Sequence, residues 1–389
     1  MTTLTMRSTP TRRLPSVPTK PVNVCFLIDT LSRAGTETQL LALIRELDRS
    51  RVRPTLVLLD GTDPGSRELE PLDCPILRLG LKRLCQTASI PAARQLMRFW
   101  HDHAIDVLQV YFLDSAYFAV PIARMSGIRR VVRVRNNLGY WLTPKHRFLN
   151  RIVGRLSDVT LTNTENGREA LIREERLPAD RVTVIPNGVD LERFKTPMNP
   201  RDFAKQIVVG CVANLRPVKN IDGLMRAARH VLDRFPQVRF EVAGDGEQRA
   251  ELERLHTELQ LGDRFRLLGS VADIPEFLRH LDIAVLPSHS EGMSNAILEY
   301  MAAGRAIVAT DVGASKAVLG GCGQIVLPGD KSALADAIVQ FVCEPATRLQ
   351  FGTAARHRVE IEFSRDAMCR RFERFYRDLM RPRSTQNLA

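Results

Sequence analysis

No apolar run in this chain approaches the ~20 residues that a helix needs to cross a bilayer. The opening residues also lack the apolar core of a secretory signal, so the expectation is a cytoplasmic protein. Residues 1–20 are rich in Thr, Pro and Arg and read as a disordered basic tail. The cysteines (Cys25, Cys74, Cys85, Cys211, Cys322, Cys343 and Cys369) form no close pair and no metal-ligand spacing. That excludes a disulfide framework or a zinc module and points to reduced thiols in apolar runs. The first strand is followed by a loop without the three spaced glycines of a dinucleotide fingerprint, so NAD binding has no support. Nucleic-acid-binding motifs are missing too, so no nucleic-acid partner is expected.

Acid is locally scarce. Between Val120 and Ser157 there are nine basic residues and no Asp or Glu. Residues 1–195 carry 30 Lys and Arg against 20 Asp and Glu, and the remainder carries 26 against 24. Most of the net charge of +12 therefore sits in the first half. Such a face favours an anionic partner: an anionic membrane surface, a nucleic acid, against which the missing motifs speak, or a phosphate-bearing acceptor.

What is present is length enough for two domains and a regular alternation of strands and helices. Short apolar runs at 22–28, 55–59, 75–79, 107–111, 131–134 and 159–162 read as strands. Helical patterns run from about Leu40 through Leu47, over 90–103 and over 116–125. A second series opens at Ile207–Val212, with a helix over 221–235 and strands at 240–243, 266–268, 283–286 and 306–309. Alternation of this kind implies mostly parallel sheets covered on both faces. Pro197 and Pro200 mark a linker within 195–205.

The richest stretch is 285–313. An apolar strand ends at Leu286, and Pro287, Ser288 and Ser290 break the chain into a loop. Glu291 and Gly292 close that loop, and a helix carrying Ile297, Leu298 and Met301 follows. Gly292, Met293, Ser294 and Asn295 bring amides without helical partners to the helix start, which suits a phosphate. Glu299 lies roughly 7–8 Å further along at ~1.5 Å per residue, within reach of ribose hydroxyls. Glu291 stands before the turn, placed for a sugar. After the strand at 207–212, Arg216 and Lys219 precede the next helix and supply two cations for a diphosphate. Asp245 and Glu247 stand among turn glycines, and no metal site is assigned to them.

Glu291, Gly292 and Glu299, followed by Gly304 and the Ala-Thr-Asp-Val-Gly of 309–313, closely resemble the signature of the family 4 retaining glycosyltransferases. The likeness runs over about residues 21–380. It implies the GT-B fold: α/β, two facing Rossmann-like doubly wound domains, a deep inter-domain cleft, and a C-terminal helix crossing back to the first domain. The expected division is 21–195, completed by the helix of 364–389, and 196–363 for nucleotide-sugar binding. The resemblance implies transfer of a sugar, without a metal or other cofactor, from a UDP- or GDP-linked donor to a hydroxyl acceptor, in cell-surface polysaccharide or glycolipid synthesis. It implies catalysis by Glu291, Arg216 and Lys219. Gly35, Val271, Gly292, Met293, Ser294, Asn295 and Glu299 would hold the donor. Arg135, Tyr140 and Trp141 would face a glycan or lipid-linked acceptor, with peripheral contact to an anionic membrane. Three positions depart from the family pattern. Ala34 replaces the first of two glycines, Asn214 stands where an arginine is usual, and no histidine follows either candidate strand. The alternative is a non-catalytic nucleotide-sugar-binding protein of the same fold.

Overall fold

The computed structural model describes residues 20–32, 34–84, 87–136, 143–195 and 206–381. Tyr140, Trp141, Cys85 and most of the expected tail and linker lie outside them. The first half builds one sheet from β1 (Val22–Ile28), β2 (Val52–Leu58), β3 (Ile76–Arg78), β4 (Val107–Tyr111), β5 (Arg130–Val134), β6 (Val159–Thr162) and β7 (Val182–Val184). These pair in parallel in the order β3-β2-β1-β4-β5-β6-β7. The connecting helices are α1 (Gly35–Glu46), α2 (Pro64–Glu68), α3 (Ser89–Asp102), α4 (Leu113–Met125), α5 (Pro144–Leu156) and α6 (Glu165–Glu175).

The second half repeats the plan. Its strands are β8 (Ile207–Val212), β9 (Val238–Ala243), β10 (Phe265–Gly269), β11 (Ile283–Leu286), β12 (Ala306–Thr310) and β13 (Gln324–Val326), in the order β10-β9-β8-β11-β12-β13. Helices α7 (Ile221–Arg234), α8 (Arg249–Glu258), α9 (Ile274–His280), α10 (Asn295–Ala302), α11 (Ser315–Leu319), α12 (Lys331–Cys343) and α13 (Pro345–Glu362) cover it. The central strands read as unbroken apolar runs because both faces are buried. Phe26 and Leu27 go to cores on opposite sides of the first sheet, and Val285 and Ala284 do the same in the second.

The last helix, α14 (Arg365–Leu379), returns to the first domain. Two chain passages meet at the crossing: the Val189 amide donates to Phe363 O at 2.8 Å and the Arg365 amide to Val189 O at 3.0 Å. Beyond it, the buried Tyr376 stacks edge-on to Phe26 and donates its hydroxyl to Gln109 Oε1 at 2.8 Å. The Arg365 guanidinium ties Glu46 of α1 and Asp190, both at 3.0 Å. In each sheet the strand order reverses beside its first strand, at β1/β4 and at β8/β11. Ligands of open parallel sheets bind at the carboxyl ends of the strands, at such switch points.

Candidate active site in the inter-domain cleft

The loop from β11 to α10 is fastened to the loop from β8 to α7. Asn220, in a left-handed conformation at φ 54°, donates its side-chain amide to Pro287 O at 2.9 Å. The His289 amide donates to Val218 O at 2.8 Å. Lys219 sits between these ties, and its ammonium lies 2.6 Å from Glu291 Oε1. The Ser288 hydroxyl donates to the same oxygen at 2.7 Å. A half-buried ion pair thus occupies the loop junction, mounted on backbone held from both sides.

Helix α10 starts beside it. Ser294 is the N-cap residue, yet its side chain makes no capping bond. The N-terminal amides of α10 and the positive end of its dipole therefore lack a side-chain cap and suit an anion. Gly292 also answers a steric demand from the facing domain. A Cβ there would come 2.6 Å from Asn136 O of the facing domain. The side chain of Asn295 also does something other than expected, because it bridges the domains. It accepts from Asn187 Nδ2 at 2.9 Å and Gln39 Nε2 at 3.2 Å, and donates to Gly35 O at 3.4 Å.

These elements wall a cleft of about 810 Å³. Gly35, Lys219, Val271, Glu291, Gly292, Met293, Ser294, Asn295 and Glu299 all line it. Burial pushes the Glu299 carboxyl up to about 7, and Arg193 and then Arg365 pull it back in part. Arg193 lines the same cleft and was not foreseen. Asn187 and Gln39 were missed as well. Nothing in α1 marks Gln39 as a clamp on Gly188 across the crossing.

Two expected site residues are placed differently from the rest. Arg216 is exposed, caps the short turn of 217–219 and is not among the cleft's lining residues; Asn214 is. Arg135 is no open loop cation. It is 8% exposed, and with Arg133 it grips both oxygens of the buried Glu175, one guanidinium on each. The paired charges replace the water that each would lose on burial.

Arg135 nevertheless borders a second cavity, of about 470 Å³, at the carboxyl ends of β1, β4 and β5. Asp29, Asp114, Arg133, His146 and Asn150 line it too, and Phe112 and Asn136 are shared with the cleft. Asp29 accepts the Ser115 amide at 2.8 Å and its hydroxyl at 2.5 Å, and burial raises its carboxyl above the usual range. Phe112 holds a φ of 62° between β4 and α4, an expensive conformation for a large side chain. That strain lies where the two cavities meet.

Family models match both halves: the Glycosyltransferase Family 4 model over residues 33–193 and the Glycosyl transferases group 1 model over 206–344. The chain belongs to the family 4 glycosyltransferases.

Its curated relatives are enzymes of that kind. The Escherichia coli UDP-Gal:alpha-D-GlcNAc-diphosphoundecaprenol alpha-1,3-galactosyltransferase is 26% identical over 62% of this chain and 68% of its own length. The lipopolysaccharide core biosynthesis mannosyltransferase LpcC of Rhizobium leguminosarum bv. viciae is 28% identical over 76% and 81%. Among solved structures, Anabaena HepE in complex with UDP superposes with a TM-score of 0.79 at 22% identity, covering 92% of this chain and all of that one. Sucrose-phosphate synthase from Thermosynechococcus elongatus gives 0.77 at 20% identity, covering 92% of this chain and 99% of that one. These likenesses establish the GT-B fold, and the relatives make this family 4 member a glycosyltransferase. Nothing in them favours the non-catalytic alternative.

Proposed function

We propose that the chain moves a sugar, with retention of anomeric configuration, from a uridine- or guanosine-diphosphate donor to a hydroxyl of a glycan or lipid-linked acceptor. One observation carries this reading: a single cleft gathers an acid–base pair, the start of a helix and a second acid one turn along that helix. The α10 amides and Lys219 receive the diphosphate. Glu299 and Arg193 lie where the ribose sits, and Val271 borders the base. Donor phosphate competes for Lys219 and releases Glu291 from its ion pair to position the transferred sugar.

Departure of the diphosphate builds negative charge at Lys219 and α10. A fixed positive field there is the largest catalytic term available to such a site. That field needs no metal to supply it. The leaving phosphate, on the same face as the incoming hydroxyl, takes up the acceptor's proton. The acceptor enters through the second cavity, beside Arg135 and Asn150. The two relatives named above act, by their names, on a lipid-diphosphate-linked sugar and in lipopolysaccharide core synthesis. They support an acceptor presented at a membrane, on its cytoplasmic side.

The test is nucleoside diphosphate release from UDP-glucose, UDP-galactose and GDP-mannose, with and without a panel of oligosaccharide and undecaprenyl-diphosphate-linked acceptors. Acceptor-dependent release from at least one donor is expected. Absence of release from every donor, by protein whose melting point those donors raise, would favour a binding protein instead.

A further inference from the structure

We propose that helix α5 docks the protein on an anionic lipid bilayer, with Phe148 and Ile152 entering the interface and Lys145, Arg147 and Arg155 meeting the headgroups. The helix contains no acid and four Lys or Arg. Phe148 and Ile152, four residues apart on one face, are 63% and 41% exposed. Lys145 and Arg155, spaced three residues outside that pair, flank it on the same face, and both are exposed. The opposite face buries Val153 in the core beneath the sheet. An exposed apolar pair framed by cations on a helix is the pattern of an element lying in a membrane interface.

The cations of this face are available to an anionic surface, and what sets them apart is the exposed apolar pair between them. On α14, by contrast, Arg370 pairs with Asp366 and Arg377 with Asp378, and the Arg371 guanidinium donates to Glu362 O at 2.7 Å. Lys145, Arg147 and Arg155 have no ion-pair partner among the described residues. Arg151 is different, being held by Glu174 O at 3.1 Å, and is not counted toward the lipid. The neighbouring helix of the same layer, α4, ends in Met125, which is 86% exposed. Unpaired positive charge attracts an anionic surface, and the apolar pair holds the contact once made.

The same helix faces the acceptor route. His146 and Asn150 line the second cavity, while Phe148 and Ile152 point outward. One element therefore joins that cavity to the bilayer surface. A lipid-linked acceptor would reach the cleft without leaving its leaflet. This last point rests on the proposed transferase reading; the docking itself does not.

The experiment is co-sedimentation of the full chain with phosphatidylcholine vesicles, with and without 30% phosphatidylglycerol, at low and high salt. Wild type is expected to bind only the anionic vesicles and to come off in high salt. The pairs Lys145→Glu with Arg155→Glu and Phe148→Ser with Ile152→Ser are each expected to weaken binding about tenfold or more. A control pair on the second domain, Arg254→Glu with Arg266→Glu, is expected to leave it unchanged. Donor-induced thermal shifts report folding and the nucleotide site separately, so failure to dock and failure of the transferase reading are distinguishable. Equal binding to neutral vesicles overturns the proposal. So does unchanged binding by either α5 pair, or a wild-type dimer that the Phe148→Ser, Ile152→Ser pair dissociates in the absence of vesicle binding.

Discussion

The two domains handle charge in different ways beside their cavities. On the second domain, Lys219 and Glu291 form a half-buried pair at the lip of the cavity, with 24% and 11% of their side chains exposed. On the first domain, Arg133, Arg135 and Glu175 form a cluster in which no side chain exceeds 7%. A ligand phosphate can take over the first pair, since its partners already line the cavity it would enter. No ligand can replace Glu175, which lies behind the second cavity rather than in it. In the proposed reading the donor side is built from charges that exchange partners, and the acceptor side from charges that hold the scaffold.

Breaking each side sharpens the contrast. Lys219→Ala and Glu291→Ala are expected to lower kcat by about 10²–10³, the range seen when one preorganised charge-stabilising group is lost. The melting point should fall less than in Glu175→Ala, because the partner left behind still lines the cleft and can be solvated there. The double variant should be hardly worse than the poorer single one, since the two act together. Steady-state kinetics with saturating donor decide it, and a Lys219→Ala variant that keeps half its turnover breaks the comparison. Glu175→Ala should behave in the opposite manner. It strands two buried guanidiniums and should cost about 3–5 kcal/mol of stability. Urea unfolding measures that loss, and the protein still folded should bind donor as wild type does.

The same contrast sets how far the sequence could be read. The strand–loop–helix unit from Ile283 to Ala302 was legible because its chemistry lies within one short segment. The apolar runs of β1, β4, β8 and β12 were equally plain, since burial on both faces leaves no polar alternation to confuse the period. The acceptor side was not legible. Glu175 is the last residue of α6, forty residues from Arg135, and no local pattern announces their meeting. Helix α5 was overlooked because its run of bases drew attention to charge and away from period. Asn295 and Gln39 look like ordinary helix residues, and their contact spans 256 positions. Such long-range ties exist only once the α14 passage has brought the domains together.

Glu299 allows a smaller test on the donor side. Its carboxyl titrates near 7 in the folded chain, above the usual value of 4.5, because it is buried. Between those limits the native state keeps a proton that the unfolded chain gives up, so stability falls as pH rises through the window. Glu299→Gln should flatten that fall. Donor binding should follow the reverse trend. If ribose hydroxyls donate to the carboxylate, affinity should strengthen up to about tenfold from pH 6 to pH 8 as more of the group ionises. Calorimetric titration of UDP or GDP, whichever binds, should show this slope in wild type and lose it in Glu299→Gln. An equal slope in both locates the pH response elsewhere.

The smallest effect is expected at Arg216, and it bears on how the diphosphate is neutralised. Arg216 and Lys219 flank one short turn, so spacing alone makes them look equivalent. The fold separates them. The turn of 217–219 carries Lys219 to Glu291, where it lines the cleft, and leaves Arg216 exposed at the N-cap position. A solvent-exposed guanidinium outside the cleft's lining is screened from charge within it. Arg216→Ala should therefore change kcat/KM by less than about threefold, and raised salt should erase even that. Asn214, which does line the cleft, offers the converse test. Asn214→Arg restores the usual family residue beside Lys219. If one cation and a helix terminus already suffice, that variant should bind donor more tightly without turning over faster, because it stabilises ground state and transition state alike. A rise in kcat would instead show that the natural chain runs with an incomplete positive field.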